Sequence, residues 1–291
     1  MDDATATFTA LRCRLHGIAY RMLGSVSEAE DVVQDVWLSW NEANQAAIGN
    51  AEAWLVTTTT RRSIDRLRAA KARREHYAGI WLPEPVLTED SPSPETLQEL
   101  SSDVSVAFLL LLERLTPEAR AAFLMREVLD SDYPEIAQTL GKSEAACRQL
   151  VHRAKDQIRD ERPRQSVTPD THRRLMHRFA SALSAGDFPA IRSMLATDAV
   201  LMGDGGGKVT SFPKPMLGGQ RIAQLFYAAN LRYKYGLRLE LATINGETSL
   251  LRFLNGKLES VQTYVVDGEH ITQIHIQRNP DKLERILEAL H

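Results

Sequence analysis

Residues 133–159 read YPEIAQTLGKSEAACRQLVHRAKDQIR. Tyr133-Pro134 opens a run in which Glu135 to Leu140 is long enough for a short helix. Gly141 and Lys142 supply a turn, and Ser143 offers a side-chain oxygen to cap a longer second helix. The spacing predicts a helix-turn-helix. On the second helix Ala146, Leu150, Ala154 and Ile158 share an inward stripe, leaving Glu144, Arg148, Gln149, His152, Arg153 and Lys155 on more exposed faces. Arg and Gln can each make two hydrogen bonds to a base edge in a major groove, while Lys and Arg farther along neutralise phosphates. The competing reading is an amphipathic hairpin with no such role; turn, cap and basic outer face together favour the first.

The chain has 291 residues, 43% of them hydrophobic and 25% charged. That is an ordinary globular composition with length for roughly two or three domains. No apolar run approaches the ~20 residues that span a bilayer. The N-terminus MDDATATFTALRCR lacks the basic-then-apolar order of a signal peptide, so a cytoplasmic location with no membrane partner is expected. Cys13 and Cys147 have no CxxC or His/Cys neighbour at ligand spacing, which argues against a disulfide framework and against zinc. Both are expected to be buried thiols, and no metal or cofactor is expected.

The net charge of -3 does not mark a nucleic-acid binder, but its distribution does. Arg61, Arg62, Arg66, Arg68, Lys71, Arg73 and Arg74 crowd one stretch; Lys142, Arg148, Arg153, Lys155, Arg159, Arg162 and Arg164 crowd another. Two local positive fields on a near-neutral body suit two separated stretches of phosphate backbone, the alternative being two solvated helix faces.

Working toward the N-terminus, Leu11, Leu15, Ile18, Ala19 and Met22, then Val32, Val33, Val36, Trp37 and Trp40, recur at helical spacing around Gly24 and Ser25. This predicts two packed helices. A third runs from about Ala51 to Tyr77; its TTTTRR segment is poor helix material, so tertiary contacts or a ligand must hold it. Its aromatic start, hydroxyl-rich middle and basic tail suit an unpaired DNA strand. Glu28, Asp31 and Asp35 cluster opposite the apolar stripe of their helix. With no His or third ligand nearby they read as a protein-binding or solvated face rather than a catalytic pair. The proline- and acid-rich GIWLPEPVLTEDSPSPETLQ predicts a linker, and helical periodicity resumes from about Glu95 to Arg159.

Beyond RPRQSVTPD the character changes. Helices near Thr171 to Ala185 and Phe188 to Leu195 give way to β-branched, alternating runs separated by NGE, NGK and DGE turns, and a short helix ends the chain at NPDKLERILEAL. The expected domain is α+β, a strand-rich meander forming a curved sheet with a few covering helices. Such a cone can enclose an apolar pocket, and an Asp or His inside it could move protons as in an isomerase or cyclase, so Asp204, His270 and His275 are candidates. Against this, Asp204 begins a Gly-Gly-Gly turn and strand histidines are more often structural.

Together these residues resemble the extracytoplasmic-function class of sigma factors. SEAEDVVQDVW resembles the region that binds core RNA polymerase, which implies Asp31, Gln34, Asp35 and Trp37 for that surface. WLVTTTTRRSIDRLR resembles the promoter-melting and minus-ten-reading region, implying Trp54, Arg61, Arg62, Asp65, Arg66, Arg68, Lys71, Arg73 and Arg74 as contacts to the non-template strand. LTPEARAAFLMREVLDSDYPEIAQTLGKSEAACRQLVHRAK resembles the reader of the minus-thirty-five duplex, implying Ser143, Glu144, Arg148, Gln149, His152, Arg153 and Lys155, with Arg120 as a phosphate contact. Arg61 stands where many members of the wider class have asparagine, which leaves the minus-ten preference open.

The remainder resembles the SnoaL-like domain that one sigma subgroup carries at its C-terminus. Three pieces carry this likeness: Trp81, Leu82, Pro83, Glu84 and Pro85; Asp204, Gly205, Gly206, Gly207 and Lys208; and Asn279, Pro280, Asp281 and Lys282 with Leu283. They are expected to meet at one interface, with the acid of the linker offered to Lys208 or an Arg, and to fix the spacing of the two DNA-binding modules, the alternative being that WLPEP is only a stiff linker and DGGGK only a turn. The implied layout is region 2 over 1–78, linker 79–100, region 4 over 101–163 and a regulatory domain over 168–291. The expected product is a monomeric, non-enzymatic sigma factor, with an unidentified small ligand in the C-terminal pocket as a further partner. The rivals are a dimeric ligand-sensing helix-turn-helix regulator independent of core polymerase, and a SnoaL-type isomerase or cyclase.

Overall fold

Gly24 and Ser25 end one amphipathic run and cap the next. In the computed structural model, which describes residues 3–88, 104–159 and 167–290, α1 (Asp3–Leu23) is followed by α2 (Val26–Glu42), with Ser25 Oγ accepting from the Glu28 amide. Leu15, Ile18, Ala19 and Met22 of α1 and Val32, Val33, Val36 and Trp40 of α2 are buried as their spacing predicts. Helix α3 (Ala51–Arg74) keeps its threonine run helical through packing: Thr59, Thr60 and Ser63 are buried with Leu55, Ile64 and Leu67.

Next come α4 (Val106–Glu113) and α5 (Pro117–Glu127), the latter capped by Thr116. Then α6 (Tyr133–Leu140) and α7 (Glu144–Arg159) form the helix-turn-helix. Gly141 takes φ 63 at its turn, a left-handed cap at which a side chain would be strained, and Ser143 Oγ accepts from the Ala146 amide at 3.2 Å. The inward stripe of α7 differs from the expected one. Cys147, Val151, Ala154 and Ile158 are buried, and Ala146 and Leu150 are only half-buried. Cys147 and Val151 join Ala122, Met125 and Ile136 in one cluster. Both stripes are apolar, so the packing partner selects the rotation of the helix. Cys13, expected to be buried, is exposed on α1, whereas Cys147 is buried.

The chain separates into two compact units, one of 1–75, 93–102 and 108–162, the other of 76–92, 103–107 and 163–291. In the second, α8 (Pro169–Ala185) and α9 (Phe188–Ser193) precede β1 (Leu195–Asp204), β2 (Met216–Leu217) and α10 (Gly219–Tyr233). Strands β3 (Leu237–Ile244), β4 (Glu247–Leu254), β5 (Lys257–Asp267) and β6 (His270–Gln277) follow, and α11 (Pro280–Ala289) comes last. The sheet order is β2-β1-β6-β5-β4-β3. Strands β3 to β6 form the expected antiparallel meander, with Asn245-Gly246 and Asn255-Gly256 at positive φ in two of its turns. The meander is extended by β1, which pairs parallel to β6. Register irregularities in β1, β4 and β5 accompany the bending of the sheet. This is the expected α+β unit, a strand-rich meander with covering helices.

Both faces of that sheet are covered. Phe179 of α8 and Ile222 and Phe226 of α10 pack with Leu250, Tyr264 and Ile274 on one face. Leu283 and Ile286 of α11, with Leu87, pack on Ile244, Leu251, Phe253 and Val261 on the other. Two-sided cover explains why Ser260 through Val266 are all buried instead of alternating. The expected linker is in part an element of this unit. Thr88 N donates to Thr243 O and Asn245 N to Val86 O, both at 2.8 Å, so residues 86–88 run along β3. The expected linker residues 89–100, and Arg162 and Arg164, lie outside the described residues.

Candidate nucleic-acid interface and linker clamp

The basic face of α3 is engaged within its own unit. Arg61 donates from Nε to Thr139 O at 2.9 Å and from Nη2 to Gln138 O at 2.7 Å, and Thr57 and Thr139 hydroxyls lie 3.2 Å apart. Arg68 bonds to Asp65 at 3.1 Å and to Glu118; Lys71 Nζ donates to Leu115 O at 2.7 Å and Glu113 O at 3.2 Å. Arg74 reaches Glu113 at 2.5 Å and Leu23 O at 2.7 Å. Burial, and then the nearby Arg120 charge, lower the Lys71 pKa from its ordinary value. The other expected contacts point elsewhere: Arg66 pairs with Asp31, Arg73 with Glu28 at 2.5 Å, Arg62 reaches Ser39 at 3.5 Å, and Trp54 packs 5.4 Å from Trp40. The hydroxyls of Thr59, Thr60 and Ser63 are buried without a hydrogen-bond partner.

Arg120 departs from its expected role. It is 1% exposed and donates to Leu112 O at 2.8 Å, Met22 O at 2.7 Å and Glu113 at 2.7 Å. No face of it is offered to a phosphate in this arrangement; it joins α5 to the end of α1. Burial pushes the Glu113 carboxyl up, but Arg120 and Arg74 outweigh it and hold the group below the usual carboxylate range.

The helix-turn-helix presents what the sequence predicts. Ser143, Arg148, Gln149, His152, Arg153 and Lys155 are exposed along α7, with Glu144 half-buried. Glu144 pairs with Arg148 at 2.8 Å, His152 with Asp156 at 3.0 Å and Lys155 with Glu127 at 2.8 Å. The Arg148 guanidinium lies over the Tyr133 ring at 4.8 Å, a stacking that orients it. On α2, Asp31, Gln34 and Asp35 are exposed and Trp37 is half-buried against Phe8 at 4.8 Å, bordering a groove with Arg12 and His16.

The second unit gathers the three C-terminal pieces. The Asp204 carboxylate is fully buried and accepts from Tyr77 Oη at 2.7 Å, the Leu82 amide at 3.0 Å, the Gly206 amide at 2.9 Å, Gln277 at 3.3 Å and Lys282 Nζ at 2.7 Å. Lys282 also donates to Leu82 O at 2.6 Å and lies over the Trp81 ring at 4.4 Å. Asn279 donates to Tyr77 Oη at 3.0 Å. Burial, then the Asp204 hydrogen bond, raises the Tyr77 phenol well above its ordinary pKa. A Cβ on Gly205 would lie 2.2 Å from Val209 O, and Gly206 takes φ 63, so both positions require glycine. Lys208 pairs with Asp281 at 2.7 Å, while Glu84 is met by Arg285 at 3.5 Å. Of the Lys208 or Arg expected beside the linker acid, the structure places an Arg there. Leu82, Pro83, Glu84 and Pro85 are buried. Tyr77, Gln277 and Asn245 were not foreseen; Asn245 Oδ1 accepts from the Val86 amide and its Nδ2 donates to Val104 O, both at 3.0 Å.

Of the catalytic candidates, Asp204 belongs to this clamp and His270 is exposed. His275 is buried, 3.4 Å from the Thr263 hydroxyl and 3.3 Å from Gln273, and burial pushes its pKa down to about 4. The core between the helices and the sheet is packed with aromatic rings, Phe179 against Tyr264 at 5.6 Å and Phe226 at 5.9 Å. The void beside Leu183, Phe226, Asn230, Arg252 and Gln262 is about 20 Å³, against roughly 300 Å³ or more for a small-molecule site. Among the described residues no helix is long and apolar enough to cross a membrane.

The two helical regions define a sigma-type protein: residues 7–73 match the Sigma-70 region 2 family and 105–158 the Sigma-70, region 4 family. The ECF RNA polymerase sigma factor SigJ of Mycobacterium tuberculosis is 35% identical over 94% of this chain and 91% of its own length. A probable ECF RNA polymerase sigma factor, SigI, of the same species is 29% identical over 99% and 98%. The crystal structure of M. tuberculosis SigJ superposes with TM-score 0.78 over 96% of this chain and 98% of its own, at 29% identity. The chain belongs to the extracytoplasmic-function sigma factors.

Proposed function

We propose that this chain directs promoter-specific initiation by bacterial core RNA polymerase, acting by binding rather than by bond chemistry, and that its C-terminal domain adjusts that activity. Asp31, Gln34, Asp35 and Trp37 dock the core enzyme. The cations of α3 take the minus-ten non-template strand, and Arg148, Gln149 and Arg153 read the minus-thirty-five duplex. The observation that carries the regulatory half is the Asp204 carboxylate, which binds Leu82 of the linker, Tyr77 before it and Lys282 behind it in one buried network. A domain that holds the segment between two DNA-binding regions sets the conformations open to them. This includes the layout of region 2, linker, region 4 and regulatory domain over 1–78, 79–100, 101–163 and 168–291, and one functional chain per polymerase.

The test is multiple-round transcription by core polymerase with the full chain, comparing wild type with Lys282→Ala. Lys282 belongs to the clamp and is none of the residues assigned to core or DNA, so core binding should persist while transcript yield changes severalfold. Equal yields would refute the clamp as a regulator.

A further inference from the structure

Arg61 carries two roles that exclude each other. Sequence resemblance places it among the minus-ten contacts, yet its guanidinium sits on the C-terminal end of α6, the first helix of the helix-turn-helix. An α-helix leaves its last four carbonyls without intrahelical partners and its C-terminus partly negative, so a cation is favoured there. The cap amides of Gly141 and Lys142 both go to Ala137 O, and Arg61 takes Gln138 O and Thr139 O. The two donors used, Nε and Nη2, form one edge of the planar fork, an edge suited to two-point binding of phosphate or guanine. One turn earlier on α3, Thr57 reaches the Thr139 hydroxyl. Farther along the same helix, Arg68 and Lys71 bind Glu118 and the carbonyls of Glu113 and Leu115.

We propose that Arg61 is a latch between the two helical regions: the edge that would bind minus-ten DNA holds the helix-turn-helix instead, so capture of the strand and release of α6 are one event. The inference rests on α3 being the minus-ten segment. Asparagine at this position, as in many members of the wider class, would have neither the charge nor the reach to make both bonds. Competition of this kind makes the closed arrangement of the free chain self-limiting. DNA that engages Arg61 opens the pair of regions, and the exposed face of α7 becomes free to move to its own element.

The experiment uses the full chain with spin labels at Asn41→Cys on α2 and Gln157→Cys on α7, both exposed positions, in a Cys13→Ser background. Pulsed dipolar spectroscopy then reads the distance between them. Wild type is expected to give one dominant distance. Arg61→Ala and Arg61→Gln should each raise a longer component about tenfold, the scale of losing charge-assisted hydrogen bonds at a half-exposed site. Arg61→Lys should lie between. A mixed-sequence twelve-nucleotide single strand should shift wild type toward the longer distance and leave Arg61→Ala nearly unchanged. An unaltered distribution in both the Ala and Gln variants overturns the latch. A strand that binds wild type without shifting its distribution overturns the competition and leaves Arg61 as a packing contact. The DNA-free arm makes no use of transcription, so failure of the sigma reading and failure of the latch give different results.

Discussion

Replacing Asp204 with Asn tests the clamp at its centre. The carboxylate is fully buried and accepts five hydrogen bonds, one from Lys282, whose side chain is 12% exposed. Asparagine keeps the shape but removes the charge and one acceptor. With its amide toward Lys282 it would set donors against the Leu82 amide, Gln277 and the ammonium; flipped, it would face the Gly206 amide. Breaking a buried ion pair from one side costs about 3–5 kcal/mol. Lys282 keeps Leu82 O and the Trp81 ring, so the lower end applies, about 3 kcal/mol. The local consequence is faster exchange of the Leu82 amide, by about a hundredfold. Hydrogen exchange of the peptide over 78–88 in the full chain reads this directly, with the α5–α7 peptides as internal reference. A change below threefold at Leu82 would refute the view that Asp204 holds the linker.

Arg120→Met should lower the stability of the helical unit by about 3–5 kcal/mol in urea unfolding, because it leaves Glu113 and two carbonyls short of a buried partner; unchanged stability with weakened DNA binding would restore the phosphate role. Thr60→Val removes a buried hydroxyl that has no partner and should be neutral or stabilise by up to about 1 kcal/mol; a loss above that in thermal unfolding would mean the hydroxyl is engaged. His275 is neutral in the fold with its pKa near 4 and free to protonate near 6.5 when unfolded. The unfolded state therefore binds more protons below pH 6.5, and stability is lost as pH falls from 6.5 toward 4, by about 3 kcal/mol at most. His275→Gln should flatten that part of the pH profile, and identical profiles for wild type and variant would contradict it.

The helix-turn-helix was legible because its determinants are local: Ser143 as cap, Gly141 in the left-handed turn and the 3.6-residue period all act within a few positions. The meander was legible for the same reason, through Asn-Gly turns and β-branched runs. The rotation of α7 was not, since Ala146 and Leu150 compete with Cys147 and Val151 and only the contacts to Ala122 and Ile136 choose between the stripes. Arg120 looked like any exposed basic residue of an amphipathic helix; its burial depends on Glu113 and on Met22 O, 98 residues away. The clamp was anticipated through resemblance and not through pattern. Tyr77 meets Asp204 across 127 residues, and Asn245 meets Val86 across 159. Polar side chains on loops and strand ends have no period to announce such partners.

The most direct test of the central claim is initiation itself: core polymerase with and without the full chain on fragments of the source genome, with transcript 5′ ends mapped. New 5′ ends that depend on the chain are expected, sharing a minus-ten and a minus-thirty-five element at fixed spacing. Transcripts indistinguishable from those of core polymerase alone, with a folded chain present in excess, would contradict it.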